Sequence, residues 1–228
     1  PWAGAGVPFV PEGPGGGTEF PGFGVDYTEF EATRTYELGA YVTGVLYSNG
    51  DLVVTGSGST YDVDPYVPDG RIIENEDGVE RIWISGEVSR LGDLIFSFLP
   101  SVTDVLISDS VISIGDKCFE EAGISEITIP RVSEMGDFCF SNCDNLASVI
   151  FEEGCTVVGS NCFCGCPNLF SVELPNTMAT IEDSAFVRTG ITTLSIPASV
   201  TSLGCRIASD LYDSAYNHLE TVIFEDGF

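Results

Sequence analysis

Basic residues are scarce in this 228-residue chain, where 8 Lys and Arg stand against 35 Asp and Glu for a formal charge of −27. Such an excess repels phosphate backbones and anionic headgroups, which excludes nucleic acid and the membrane surface as partners. His218 is the only histidine and Lys117 the only lysine. Neither a two-histidine metal site nor a histidine dyad can therefore form within one chain, and Asp213 and Ser214 beside His218 do not make a triad without a nucleophile turn and an oxyanion hole. No apolar run approaches the roughly 20 residues of a spanning helix, so membrane insertion is not expected. The glycine-rich stretch Gly4–Gly24 lacks the strand before, the helix after and the G-K-[ST] that a phosphate loop requires. The basic-then-apolar pattern of a signal peptide is also missing from the N-terminus, which fits a removed signal and an unsecreted chain alike.

What is present divides the chain into three stretches. Residues 1–24 carry Pro1, Pro8, Pro11, Pro14 and Pro21 and the run Gly15-Gly16-Gly17, a composition that reads as an arm or linker. Ordering such a segment costs about 1–2 kcal/mol per residue, so it packs only if its apolar side chains are buried. Trp2, Phe9, Phe20 and Phe23, with Val7 and Val10, are the anchors available. They suit assembly into a homo-oligomer or multi-subunit complex, or a strap across the chain's own β unit. Residues 25–75 read as that small β unit, with Asn49-Gly50 between Tyr41–Tyr47 and Leu52–Thr55 as a hairpin signal.

From residue 76 to 228 an internal repeat takes over. Apolar triplets recur as Val79/Ile82/Ile84, Val102/Val105/Ile107, Ile124/Ile127/Ile129, Leu146/Val149/Phe151, Leu169/Val172/Leu174, Ile191/Leu194/Ile196 and Leu219/Val222/Phe224. Their middle members stand at 82, 105, 127, 149, 172, 194 and 222, so every interval is 22 or 23 residues except the last, which is 28. The last two members of each triplet are one residue apart, which is strand alternation with these side chains inward. Strands are expected near 81–84, 104–107, 126–129, 148–151, 171–174, 193–196 and 221–224. A second pattern lies between them, with Ile114-Gly115, Met135-Gly136, Val158-Gly159 and Ile181-Glu182 followed by Phe119, Phe140, Phe163 and Phe186, each beside a small Cys or Ala. A large apolar residue once per unit fills the side of a coil opposite its strand, so the fold class is a β-rich (α/β) solenoid of about seven rungs with a parallel sheet on one face.

The unit Met135-Gly136-x-x-Cys139-Phe140-x-x-Cys143-x-x-Leu146-x-x-Val149-x-Phe151, with Pro130, Pro175 and Pro197 after strands, resembles the BspA-type leucine-rich repeat of bacterial surface proteins. Residues 46–58 are similar to the β unit that often precedes such repeats. The resemblance implies a leucine-rich-repeat-like array with an N-terminal β cap and a non-catalytic role in outward-facing recognition or adhesion. It places the protein extracellularly or at the cell surface, with a virion (tail or fibre) or filament component as the alternative, and carries no catalytic residue over. The last unit departs from the pattern, with Ile207-Ala208 where Cys-Phe is expected and an insertion around residues 208–217.

The chemistry-bearing residues read mostly as structure. Cys118, Cys139 and Cys162 share one repeat position and Cys143 and Cys166 another, which makes them buried columns of small apolar fillers. Cys162-Phe163-Cys164-Gly165-Cys166 lacks the second ligand pair of a zinc site. The paired carboxylates Asp62 and Asp64, or Glu74, Glu76 and Asp77, form no full calcium loop and read as solvated acidic loops. No metal, cofactor or catalytic site is expected; an enzyme would need carboxylates gathered from several rungs. Alternation turns Arg81, Trp83, Asp104, Leu106, Glu126, Ser148, Ile150, Glu173 and Ile223 outward, and this face is the expected binding surface for a protein or surface-glycan ligand.

Overall fold

A computed structural model describes residues 27–64, 66, 71–74, 77–208 and 218–225. The arm anchors Trp2, Phe9, Phe20 and Phe23, and all of the expected insertion around 208–217 except Ala208, including Asp213 and Ser214, lie outside the described residues.

The chain enters through a short 3-10 turn, Tyr27–Glu29, and an antiparallel meander of β1 (Ala32–Gly39), β2 (Val42–Tyr47) and β3 (Asp51–Ser59). The hairpin signal lies at the β2–β3 turn, where Gly50 adopts φ of 82° and its N–H donates to the Tyr47 carbonyl at 3.0 Å. β3 then starts the solenoid. Its first half pairs in parallel with β4 (Arg81–Ile84) and its second half with β5 (Glu87–Leu91), so the β unit and the repeats share hydrogen bonds. The bend between the halves falls at Gly56, whose φ is 129° and where a Cβ would lie 2.0 Å from the Tyr41 carbonyl oxygen. Only glycine permits that approach.

The main face carries β4, β6 (Asp104–Leu106), β8 (Glu126–Ile129), β10 (Ser148–Phe151), β12 (Ser171–Glu173), β14 (Thr193–Ile196) and β16 (Thr221–Phe224), each within one residue of its expected place. β8, β10 and β12 pair in parallel without offset, aligning Ile127, Val149 and Val172. A second parallel ladder, which the sequence reading did not anticipate, runs through β5, β7 (Ser113–Ile114), β9 (Glu134–Met135), then β11 (Val157–Val158), β13 (Thr180–Ile181) and β15 (Ser202–Leu203). The Ile-Gly and Met-Gly pattern marks this ladder, and the phenylalanines follow it.

A third set of inter-rung bonds runs along the phenylalanine side. Leu94, Lys117, Phe138, Asn161, Ser184 and Arg206 all adopt φ of 54° to 59°, two residues before Phe96, Phe119, Phe140, Phe163, Phe186 and Ala208. Phe98, Glu121, Asn142 and Arg188, together with Gly165, repeat the left-handed conformation two residues after the ring. That conformation costs an L-residue roughly 1–2 kcal/mol. It also aims alternate N–H groups at the next rung: Lys117, Phe119 and Glu121 donate to the carbonyls of Asp137, Cys139 and Ser141 at 2.8–2.9 Å. The offset recurs down to Phe186 and Ile207, so Ile207-Ala208 does occupy the Cys-Phe position.

Inside the coil, Phe96, Phe119, Phe140, Phe163 and Phe186 are fully buried and stack with centroids 5.1 to 5.6 Å apart. Phe96 extends the expected stack by one rung. Beside it lie the thiol columns, with Cys118, Cys139, Cys162, Cys143 and Cys166 all buried. Burial pushes the Cys118 and Cys139 thiols well up, away from thiolate. Four inward assignments, in two rungs, need correction. Val172 and Leu174 are only partly buried, and in the last rung Val222 and Phe224 are 38% and 52% exposed. Among the described residues β16 pairs with β14 alone.

Candidate recognition face

The outward side of the main sheet is organised by register into two rows that cross the strands. One row runs Val45, Val53, Trp83, Leu106, since Val45 faces Val53, Val53 faces Trp83 and Trp83 faces Leu106. The 22-residue repeat continues it through Thr128 to Ile150 and Glu173, which are aligned on β8, β10 and β12. The neighbouring row runs Asp51, Arg81, Asp104 and then Glu126, Ser148, Ser171. A strand presents alternate residues to one face, so these rows form the outer surface of the main sheet.

The β-unit end of this face is already covered. Val45, Tyr47, Val53 and Tyr27 form a small apolar cluster with Phe30, Ala32 and Trp83 packed against it, and the Tyr27 ring lies 4.6 Å from that of Tyr47. The Tyr27 hydroxyl donates to Asp51 at 3.0 Å, and the Arg81 guanidinium pairs with the same carboxylate. Burial, reinforced by the Asp51 charge, pushes the Tyr27 phenol up, so it stays a donor. Two of the nine expected face residues therefore serve structure in part: Arg81 is half-buried against Asp51, and Trp83, expected to be exposed, is half-buried under the cluster.

Beyond Trp83 the face is open. Leu106 and Ile150 are 38% and 42% exposed, with Asp104, Glu126 and Glu173 exposed beside them and Ser148 half-buried. The paired sheet is interrupted between β6 and β8. There Trp83, Asp104, Leu106, Glu126, Thr128 and Ile150 line a crevice of about 260 Å³. Small-molecule sites usually run to about 300–1,000 Å³, so this crevice suits one or two inserted side chains better than a cofactor. Ile223 lies apart: β16 is exposed along its whole length, so this residue belongs to no selectively outward row.

The carboxylates an enzyme reading would need are on the other ladder, and they are engaged. Asp62, Asp93, Asp116 and Asp183 each accept the backbone N–H of the equivalent residue one rung on, at 2.6–3.1 Å. Asp62 also pairs with Arg90, which reaches Asp93 as well. Partial burial alone would push the Asp62 carboxyl up, but the Asp93 N–H and the Arg90 guanidinium outweigh it and hold it below its ordinary value. Asp137 is pushed up, by desolvation first and then by Asp116 and Glu182. The groove beside this ladder, about 450 Å³, is floored by Gly115 and Gly136, where a Cβ would strike Asp93 or Asp116. Asp77, expected in a solvated loop, is instead enclosed: its side chain is 7% exposed, pairs with Arg34 and accepts the Glu74 N–H. His218 is exposed.

Short parallel strands repeated every 22 or 23 residues, a second ladder and a continuous ring stack define a leucine-rich-repeat solenoid. The chain belongs to the BspA-type family of such repeats, whose model, the BspA type leucine rich repeat region, matches residues 89–211 in six copies. Among solved structures it is similar to a leucine rich cell surface protein from Faecalibacterium prausnitzii, with a TM-score of 0.55 and 24% identity over 86% of this chain. The chain spans 55% of that structure. It is also similar to the leucine rich repeat protein of T. pallidum, with a TM-score of 0.50 and 20% identity, covering 85% of this chain and 86% of that one. No curated protein matches the sequence significantly.

Proposed function

We propose that this chain is a non-catalytic recognition module of the bacterial cell surface that adheres to a polypeptide ligand through the outer face of its main sheet. The observation that carries the reading is the in-register row Trp83, Leu106, Thr128, Ile150, open to solvent beyond Trp83 and bordered by Asp104 and Glu126. Apolar anchors in a notch with a polar rim are the anatomy of a protein hot spot, and they favour a polypeptide over a glycan. The acidic border and the charge of −27 favour a ligand segment that combines apolar and basic side chains. Family membership and the cell-surface description of the Faecalibacterium structure support the location.

Selection from a random dodecapeptide display library on the immobilised chain tests this. Enriched peptides should be rich in Lys or Arg with apolar residues, and should lose at least tenfold in affinity for Leu106→Asp or Ile150→Asp. Failure to enrich any peptide, or peptides indifferent to both substitutions, refutes the reading.

A further inference from the structure

We propose that the crevice between β6 and β8 is an arginine subsite, in which one arginine side chain of the ligand lies against Trp83 and Leu106 and its guanidinium bridges Asp104 and Glu126. The inference rests on the proposed function and deepens it by naming the side chain that enters the face. The site is a seam in the sheet. Register sets Trp83 beside Leu106 on β4 and β6, and Thr128 beside Ile150 on β8 and β10, but among the described residues no strand pairing joins β6 to β8. Just before the seam opens, the Ser125 N–H still donates to the Thr103 carbonyl at 3.2 Å. The next residues on the two rungs are Glu126 and Asp104, so their backbones stay about one strand spacing, ~4.8 Å, apart. Trp83 packs against the Tyr27 cluster and also lines the crevice, so its wall is an aromatic ring held in place before a ligand arrives.

The charge at this seam lacks a counterion of the chain's own. Arg81, next to Asp104 in the row, is committed elsewhere: its guanidinium pairs with Asp51 and donates from Nη2 to the Asn49 carbonyl at 3.1 Å. Among the described residues neither Asp104 nor Glu126 has an ion-pair partner, and Asp104 accepts the Thr103 hydroxyl at 2.6 Å. The second ladder shows what two carboxylates on successive rungs hold. There Arg90 spans Asp62 and Asp93, with Nη1 2.6 Å from the first and Nη2 2.9 Å from the second. Asp104 and Glu126 repeat that arrangement with the guanidinium left for a partner to supply. Arginine suits the crevice better than lysine, because its planar fork reaches two acceptors while lying against an indole, whereas an ammonium is a compact, strongly hydrated point charge.

Trp2 and Trp83 are the only tryptophans, so the full chain carrying Trp2→Phe reports on Trp83 alone. Titration with the probe peptide acetyl-Ala-Leu-Arg-Leu-Ala-amide should change Trp83 emission saturably. The lysine counterpart should bind about fivefold more weakly, and the uncharged citrulline counterpart about tenfold. Asp104→Asn or Glu126→Gln should bring the arginine and lysine peptides to within about twofold of each other. Glu87→Gln with Glu121→Gln, which removes two exposed charges away from this face, should leave the preference for arginine intact. Equal affinities of the arginine and lysine peptides for the Trp2→Phe chain overturn the proposal, as does a preference that survives both face substitutions or binding that leaves Trp83 emission unchanged. If library-selected peptides depend on Leu106 and Ile150 without favouring arginine, the subsite fails and the recognition face stands. If arginine is preferred while those peptides ignore Leu106→Asp and Ile150→Asp, the subsite stands and the wider reading fails.

Discussion

Phe140→Ala tests the stacking of the coil most directly. The ring is fully buried and lies between Phe119 at 5.1 Å and Phe163 at 5.4 Å, nearly parallel to both. Truncating a buried Phe to Ala costs about 3–5 kcal/mol in lost transfer and cavity energy. Each aromatic neighbour adds about 0.5–1.5 kcal/mol beyond area, so two neighbours put Phe140 near 5 kcal/mol. Phe186 is equally buried, but among the described residues it stacks on Phe163 alone, and the next rung carries Ala208 at the equivalent position. Phe186→Ala should therefore cost about 1 kcal/mol less than Phe140→Ala. Phe140→Leu, which keeps most of the volume but loses both aromatic contacts, should cost about 1–3 kcal/mol, less than Phe140→Ala. Urea unfolding followed by circular dichroism reads all three. In a quasi-one-dimensional array the central substitution should also broaden the transition, because it weakens coupling between the halves. Equal costs for Phe140→Ala and Phe186→Ala, or a Phe140→Ala cost below about 2 kcal/mol, would refute the claim that stacked neighbours stabilise one another.

Under native conditions a thiol reagent should label Cys205 first, since it is exposed, and Cys164 more slowly, leaving the buried columns unreactive until denaturant is added; fast native modification of Cys139 or Cys162 would contradict their burial. The lowered Asp62 carboxyl contributes stability that is present above the ordinary aspartate value near 3.9 and is lost as pH falls through its lower folded value. Asp62→Asn should accordingly lower the melting temperature at pH 7 and narrow the difference between pH 7 and pH 2.5, and an undiminished difference would remove Asp62 as its source. Gly136→Ala should cost about 1–3 kcal/mol in thermal unfolding, because the added Cβ falls 2.4 Å from the Asp116 carboxylate and 2.5 Å from its backbone nitrogen. A neutral outcome would mean that the rungs can separate there.

The main ladder was legible because each of its strands is three or four residues long and shows two inward members one residue apart, enough for a period of 2 to register seven times over. The second ladder was not, because β7 to β15 contribute two residues each, too few to alternate, and a glycine or Glu182 follows at once. Its signal was the glycine column itself, which marks a close approach of backbones before it marks a turn. The left-handed positions were equally hidden: Leu94, Lys117, Phe138 and Ser184 have no chemistry in common, and only the next rung's carbonyls select the conformation. Alternation placed the outward rows of the main sheet yet could not tell that Trp83 is half roofed by the cluster of Tyr27 and Tyr47, since that contact joins residues far apart in sequence. The exposure of Val222 and Phe224 was missed for a related reason. An inward residue is buried only if another rung stacks on it, and periodicity describes each rung without its neighbour.

The acidic excess divides into two populations with different consequences. Asp62, Asp93, Asp116 and Asp183 occupy one repeat position because a carboxylate there satisfies the next rung's N–H, a position that a neutral serine takes at 160. Their carboxylates serve the scaffold, each accepting a backbone donor, yet like charges about 5 Å apart still oppose one another: Asp137, in the middle of the ladder, is pushed up by desolvation and then by Asp116 and Glu182. Asp104, Glu126 and Glu173 on the proposed recognition face accept no such inter-rung N–H among the described residues and remain exposed. Added salt should thus act on the two populations in opposite senses. It relaxes repulsion along the scaffold column and raises stability, while it screens Asp104 and Glu126 and weakens capture of a basic segment. An affinity that falls with ionic strength while the melting temperature rises would separate the carboxylates that build the solenoid from those that meet its ligand.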